Sequence, residues 1–313
     1  MARHLRIPGL LDLFTADEAA SIRALDQHPR IDRVFDKEGP LATRSVRARI
    51  RNVFHTDGRL WPAFLPRGDQ RRQSDTADLN VRLTGQARRA SFDSEALDRL
   101  AELLVVAEVD RPTVGEAMQQ AIGRAFQPAF HATRDTYDAA NVLANWPQAR
   151  FFKALRLQLT GAVPRARRVI LEAAKNDPYC AHAISLALPN MIASFERMRE
   201  MRRTAPDPTL IRSDAAAARS LRGPKTLIRG VRPLALPPDD RLALRRPNVK
   251  IDVPETRKPL RRGAIVRFDR GEAQIFDRRL VFNEGSWSAC PARDWVPELF
   301  VEIWRRSIGR AKS

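Results

Sequence analysis

Cys290 closes the run Phe282-Asn-Glu-Gly-Ser-Trp-Ser-Ala-Cys290-Pro-Ala, after a turn that contains Gly285 and ahead of an amphipathic segment. A helix starting there would place its partial positive charge near the sulfur and favour the thiolate. Pro291 suits a first helical turn, where its missing N–H leaves nothing unsatisfied. Thiolates ligate soft metals and haem iron, so the run reads as a ligand loop. The histidines, His4, His28, His55, His131 and His182, are not spaced as a metal site. No nucleophile-elbow, phosphate-loop or dinucleotide glycine pattern is present.

The chain of 313 residues has room for one large domain or two ordinary ones, and 43% hydrophobic with 29% charged residues is a globular composition. Two cysteines, Cys180 and Cys290, are too few for a disulfide framework. The first residues lack the apolar core of a signal peptide, and no run has the length of a membrane span. A cytoplasmic setting is expected, with peripheral membrane contact as a variant. The net charge of +18 invites a nucleic-acid reading. Against it, arginines are spread along the whole chain without interleaved aromatics. An acidic redox partner or an anionic membrane surface accounts for the charge equally well.

The loop needs elements to hold it. The pattern predicts a helical body over residues 1–205 and a β-containing portion over 206–313, a mainly α fold with a small irregular β part in the C-terminal third. Thr15-Ala-Asp-Glu18 and Thr113-Val-Gly-Glu116 read as capping boxes opening helices. Asp93 to Val106 carries Leu97, Leu100, Leu103 and Leu104 on one helical face. Pro178 to Arg203 is the longest periodic segment, and Pro189 in its middle predicts a kink with freed carbonyls that need partners. Asn190 is positioned to satisfy them. A helix from about Thr209 stops at Gly223-Pro224. Strand-like runs follow at Thr226 to Val231, Val249 to Val253 and Ala264 to Phe268. A last helix, about Arg293 to Ile308, contains Trp295 and Trp304, which with Trp287 are its expected core anchors.

The order of these landmarks resembles the C-terminal half of the cytochrome P450 superfamily. There a long central helix precedes a Glu-x-x-Arg helix, a strand, and a Phe-x-x-Gly-x-x-x-Cys-x-Gly haem loop before the final helix. The counterparts are Pro178–Arg203, then Arg219-Ser-Leu-Arg222-Gly-Pro224, then Leu260 to Phe268, then Phe282-x-x-Gly285 with Cys290-Pro-Ala. The resemblance implies a single domain over 1–313 that binds haem b, with Cys290 as the axial thiolate and Phe282 shielding the sulfur. It implies a positive φ at Gly285, propionate contacts from Arg222, Arg229 or Arg232, and Asn190 near an apolar small-molecule substrate.

Several departures bear on the reaction. The loop has one residue more than usual between Gly285 and Cys290. Arg219 replaces the Glu of Glu-x-x-Arg, so the usual ion pair with Arg222 cannot form. No acid–threonine pair lies in the kinked helix, and the chain stops soon after its last helix. Three readings stay open at this point. One is a divergent haem-thiolate enzyme that rearranges hydroperoxides of lipid-like substrates rather than a reductive monooxygenase. The second is a catalytically degenerate scaffold, and the third a basic nucleic-acid-associated protein.

Overall fold

The computed structural model describes residues 3–32, 39–83, 92–149, 151–221, 226–231, 260–261, 263–269, 278–287 and 289–310. Contacts divide the chain into two units. One comprises Met1–Asn52, Ala63–Asp69 and Gly223–Cys290; the other comprises Val53–Pro62, Gln70–Arg222 and Pro291–Ser313.

The first unit is built on a five-stranded sheet. Strands β1 (Arg3–Ile7) and β2 (Leu11–Ala16) form an antiparallel hairpin. The order continues through β7 (Ile265–Asp269) and β6 (Thr226–Val231) to β3 (Ile31–Asp32). Among the described strands, only the β2–β7 pair is parallel. Three of the strands thus come from the first 32 residues, inside the 1–205 stretch expected to be a helical body. Phe14 and Ala16 of β2 pack with Val266 and Phe268 of β7 and with Ile22 and Leu25 of helix α1 (Ala19–Gln27). The strand overrides the predicted capping box. Thr15 pairs with Arg3 and Arg267, and α1 begins three residues later behind Glu18, which makes no capping bond. Long-range pairing and burial outweigh a local cap worth about 1 kcal/mol. Helix α2 (Leu41–Val53) follows in sequence.

Among its described residues the second unit is mostly helical, with a short hairpin, β4 (His55–Thr56) with β5 (Arg59–Leu60). Its helices are α3 (Gln70–Leu83), α4 (Ser94–Val105), α5 (Arg111–Phe126), α6 (Arg134–Asn145), α7 (Phe151–Leu159) and α8 (Ala162–Ala173). They continue with α9 (Pro178–His182), α10 (Leu188–Thr204), α11 (Ser213–Ser220) and α12 (Trp295–Arg310). In α4 the predicted stripe of Leu97, Leu100, Leu103 and Leu104 is buried, and Asp93 caps the helix by accepting from the Ala96 N–H at 2.8 Å. The second predicted capping box is displaced: Asp110 is the N-cap and accepts from the Thr113 N–H at 2.6 Å. Trp295 and Trp304 are buried anchors of α12, as expected, and the Trp304 indole donates to the Ile211 carbonyl at 3.3 Å.

The long periodic segment is deformed where proline predicted it. A π-helical turn, Ala183–Ala187, joins α9 to α10. In that wider turn a carbonyl looks five residues ahead, and for Ile184 that position is Pro189, which has no N–H. The buried side chain of Gln119 on α5 supplies the donor. Its Nε2 lies 2.9 Å from the Ile184 carbonyl oxygen and 3.1 Å from that of Thr136, and the Thr136 hydroxyl donates to Oε1 at 2.7 Å. Gln119→Leu keeps the volume and removes all three bonds. It is expected to destabilise the protein by about 2–3 kcal/mol, the cost of leaving buried acceptors unmet, read as a lower urea midpoint at unchanged slope.

Candidate functional site

The loop that carries Cys290 grows out of a short 3-10 turn, Arg278–Leu280, with Leu280 in the core beneath the sheet. Two left-handed residues turn the chain: Asn283 at φ 55° and Gly285 at φ 74°. The positive φ expected of Gly285 is present, and a side chain there would meet nothing within 4 Å. Backbone bonds then fix the path. The Glu284 N–H donates to the Arg279 carbonyl at 2.9 Å and the Ser286 N–H to that of Asn283 at 3.0 Å. The Cys290 N–H closes the loop onto the Phe282 carbonyl at 2.8 Å. Phe282, Gly285 and Cys290, singled out in the sequence, are therefore brought together by one hydrogen-bonded turn.

Side chains from earlier in the sequence pin this loop. The Trp287 indole N–H donates to the Asp26 carbonyl at 2.9 Å, and the Ser286 hydroxyl donates to the Asp26 carboxylate. The Arg67 guanidinium stacks over the Trp287 ring at 5.7 Å. It also donates to the carbonyls of Gln27 and His28, both at 3.1 Å. Trp287 is thus a loop anchor in the first unit rather than an anchor of α12. Sequence reasoning missed Asp26 and Arg67. A half-buried indole needs an acceptor, but nothing local says which residue provides it.

The two cysteines differ in kind. Cys180 is fully buried in α9, and burial, with a smaller contribution from Asp177, pushes its thiol up to about 12. It is inert at neutral pH. Cys290 is half-buried at the end of a fixed loop, where a sulfur can meet a ligand. Helix α12 starts five residues further on, at Trp295, so Pro291 lies in the intervening turn and not at a first helical position. The loop's own hydrogen bonds, not a helix end directly behind the sulfur, hold the thiol in place.

Asn190 lies in the first turn of α10, half-buried, beside Pro189 and just past the π turn. The carbonyl freed at Ile184 is met by Gln119, not by Asn190. Arg219 is exposed on α11, whose buried face is Ala216, Ala217 and Ser220. Arg229 is placed by its backbone in β6, opposite Val266. Arg222 and Arg232, the Gly223-Pro224 stop and the Val249–Val253 run lie outside the described residues. No group of three or more His, Cys, Asp or Glu side chains able to hold a metal ion occurs among the described residues. Cys290 offers one sulfur donor at the end of the loop. A sulfur donor is the one a haem iron takes from cysteine, and the hydrogen-bonded loop that ends at Cys290 carries it.

Comparison with solved structures gives the class of fold. The chain is similar to myxobacterial cytochrome P450 CYP267B1 in complex with myristic acid: TM-score 0.56, 14% identity, 99% of this chain and 85% of that one covered. It is similar to CYP154A1 from Streptomyces coelicolor A3(2) with TM-score 0.54 and 11% identity, covering 98% of this chain and 85% of that one. No protein-family model matches the chain, and no curated protein matches it. The protein has a cytochrome P450-like, mainly α fold. Among the described residues, no helix is long and apolar enough to cross a membrane.

Proposed function

We propose that this chain is a haem-thiolate protein that acts on a hydrophobic, lipid-like substrate by rearranging or dehydrating a hydroperoxide. The observation that carries the proposal is the Cys290 thiol at the end of a loop closed on Phe282 and turned at Gly285, on a cytochrome P450-like fold. Cys290 would ligate haem b, with Phe282 shielding the sulfur from water and Arg222, Arg229 and Arg232 as propionate partners. The haem, when bound, supplies a redox-active iron whose reactivity the thiolate raises by donating electron density.

The absence of an acid–threonine pair in the segment from Pro178 to Thr204 supports chemistry that needs no delivered protons for dioxygen. Asn190 is the polar group that would hydrogen-bond a substrate oxygen there. In a hydroperoxide dehydration the substrate's O–O bond breaks, one oxygen stays in the product and the other leaves as water, so no external reductant is consumed. The myristic acid in the myxobacterial structure supports an acyl chain as the substrate class. Haem-loaded protein is expected to consume a fatty-acid hydroperoxide with no electron donor present. Turnover only with a reductase and dioxygen would overturn this choice of reaction.

A second reading is favoured by Arg219, exposed where the superfamily's pattern has a glutamate: a scaffold that keeps the fold and has lost the chemistry. Haem binding without hydroperoxide turnover, or no haem binding, would select it.

A further inference from the structure

Helix α7 presents an apolar stripe to solvent. Phe152 is 82% exposed, Leu155 44% and Leu159 79%, whereas Ala154 on the opposite side is buried. At about 100° per residue these three side chains fall within an arc of about 60°, one face of the helix. Arg156 and Lys153, both exposed, follow along one flank of that arc. The surrounding sequence is uniform in sign. Between Asp138 and Glu172 there is no acidic residue, and there are six cations: Arg150, Lys153, Arg156, Arg165, Arg167 and Arg168.

We propose that α7 docks on an anionic lipid surface, with Phe152, Leu155 and Leu159 entering the acyl boundary and Lys153 and Arg156 meeting headgroup phosphates. An apolar face beside cations is the pattern of a helix lying in the interfacial plane. Such a surface takes up the apolar area and the charge together. A second copy of this chain would cover the stripe but bring the same cations face to face. The acid-free segment therefore favours lipid over self-association. The proposal is independent of haem binding and of the reaction assigned above.

Flotation of the purified full-length protein with vesicles tests it. Wild type is expected to float with vesicles of phosphatidylcholine containing phosphatidylglycerol and not with phosphatidylcholine alone, and to be released by salt. The triple change Phe152→Gln, Leu155→Gln, Leu159→Gln is expected to weaken partitioning by at least about 30-fold. Lys153→Gln with Arg156→Gln is expected to weaken it by a similar factor, on the order of 30-fold, at low ionic strength. Leu210→Gln, an isolated apolar side chain that is 81% exposed, should change nothing. Leu159→Gln alone provides the reading, at about 5-fold or more, if the triple variant aggregates. Three outcomes overturn the proposal: no binding by wild type, a triple variant that partitions like wild type, or a triple variant whose only change is loss of a dimer by sedimentation. The second would mark adsorption by the net charge of +18 alone, and the third an interface between copies.

Discussion

Cys290→Ala is expected to abolish the thiolate spectrum of haem-loaded protein and to lower hydroperoxide turnover by more than about 100-fold. That figure is the upper end of the loss from an outer-shell partner, and a direct ligand matters more. Stability should scarcely change. The bond that closes the loop uses the backbone N–H of residue 290, which alanine keeps, and the side chain is only half-buried. A partly exposed substitution of this kind shifts stability by about 0.5 kcal/mol, or roughly 1–2 °C in Tm. A structural thiol would give the opposite pattern, a lower Tm with the spectrum intact. Absorption spectra and a thermal melt on one preparation separate the two. Cys180→Ala serves as the contrasting control. It removes a buried sulfur, so it should cost stability and leave the spectrum unchanged.

Gly115→Ala should carry a large stability effect for a single added methyl group. A Cβ at residue 115 on α5 would lie 2.0 Å from Cε2 and 2.4 Å from Cδ2 of Tyr137 on α6. In a free helix the change would be favourable by about 1 kcal/mol through backbone entropy. Here overpacking opposes it. Tyr137 is buried, the Arg134 guanidinium lies 5.9 Å from its ring centroid, and its neighbour Thr136 is tied to Gln119. With α5 and α6 joined by those bonds, separation of the helices would also stretch the contact at Ile184. The expected net loss is about 2 kcal/mol, a Tm lower by roughly 4–8 °C. Adding Tyr137→Leu should restore part of it, and the coupling in that double-mutant cycle measures the clash. A Gly115→Ala protein as stable as wild type would show that the two helices part freely.

The parts legible in the sequence were those fixed by local chemistry. The α4 stripe, the proline-deformed segment and the final helix follow from residue type and spacing, and the positive φ at Gly285 from the family resemblance. The N-terminal strands did not. Leu11 to Ala16 is a strand because β7, some 250 residues later, lies beside it, and the Thr15 capping pattern offered a strong local alternative. The same limit explains Gln119: its role is defined by a carbonyl 65 positions away. It also explains Asp26, which anchors Trp287 from 261 positions away. Within the loop, the sequence placed the sulfur behind a helix N-terminus, whereas the first turn of α12 comes later because Arg293 and Asp294 remain in the connecting turn.

The reduced–carbon monoxide difference spectrum of the wild-type protein, expressed or reconstituted with haem, tests the central claim most directly. Ligation by Cys290 predicts one haem per chain and the strongly red-shifted band of a thiolate-bound iron. A preparation that binds no haem, or one whose band keeps the position seen with histidine ligation, would contradict it.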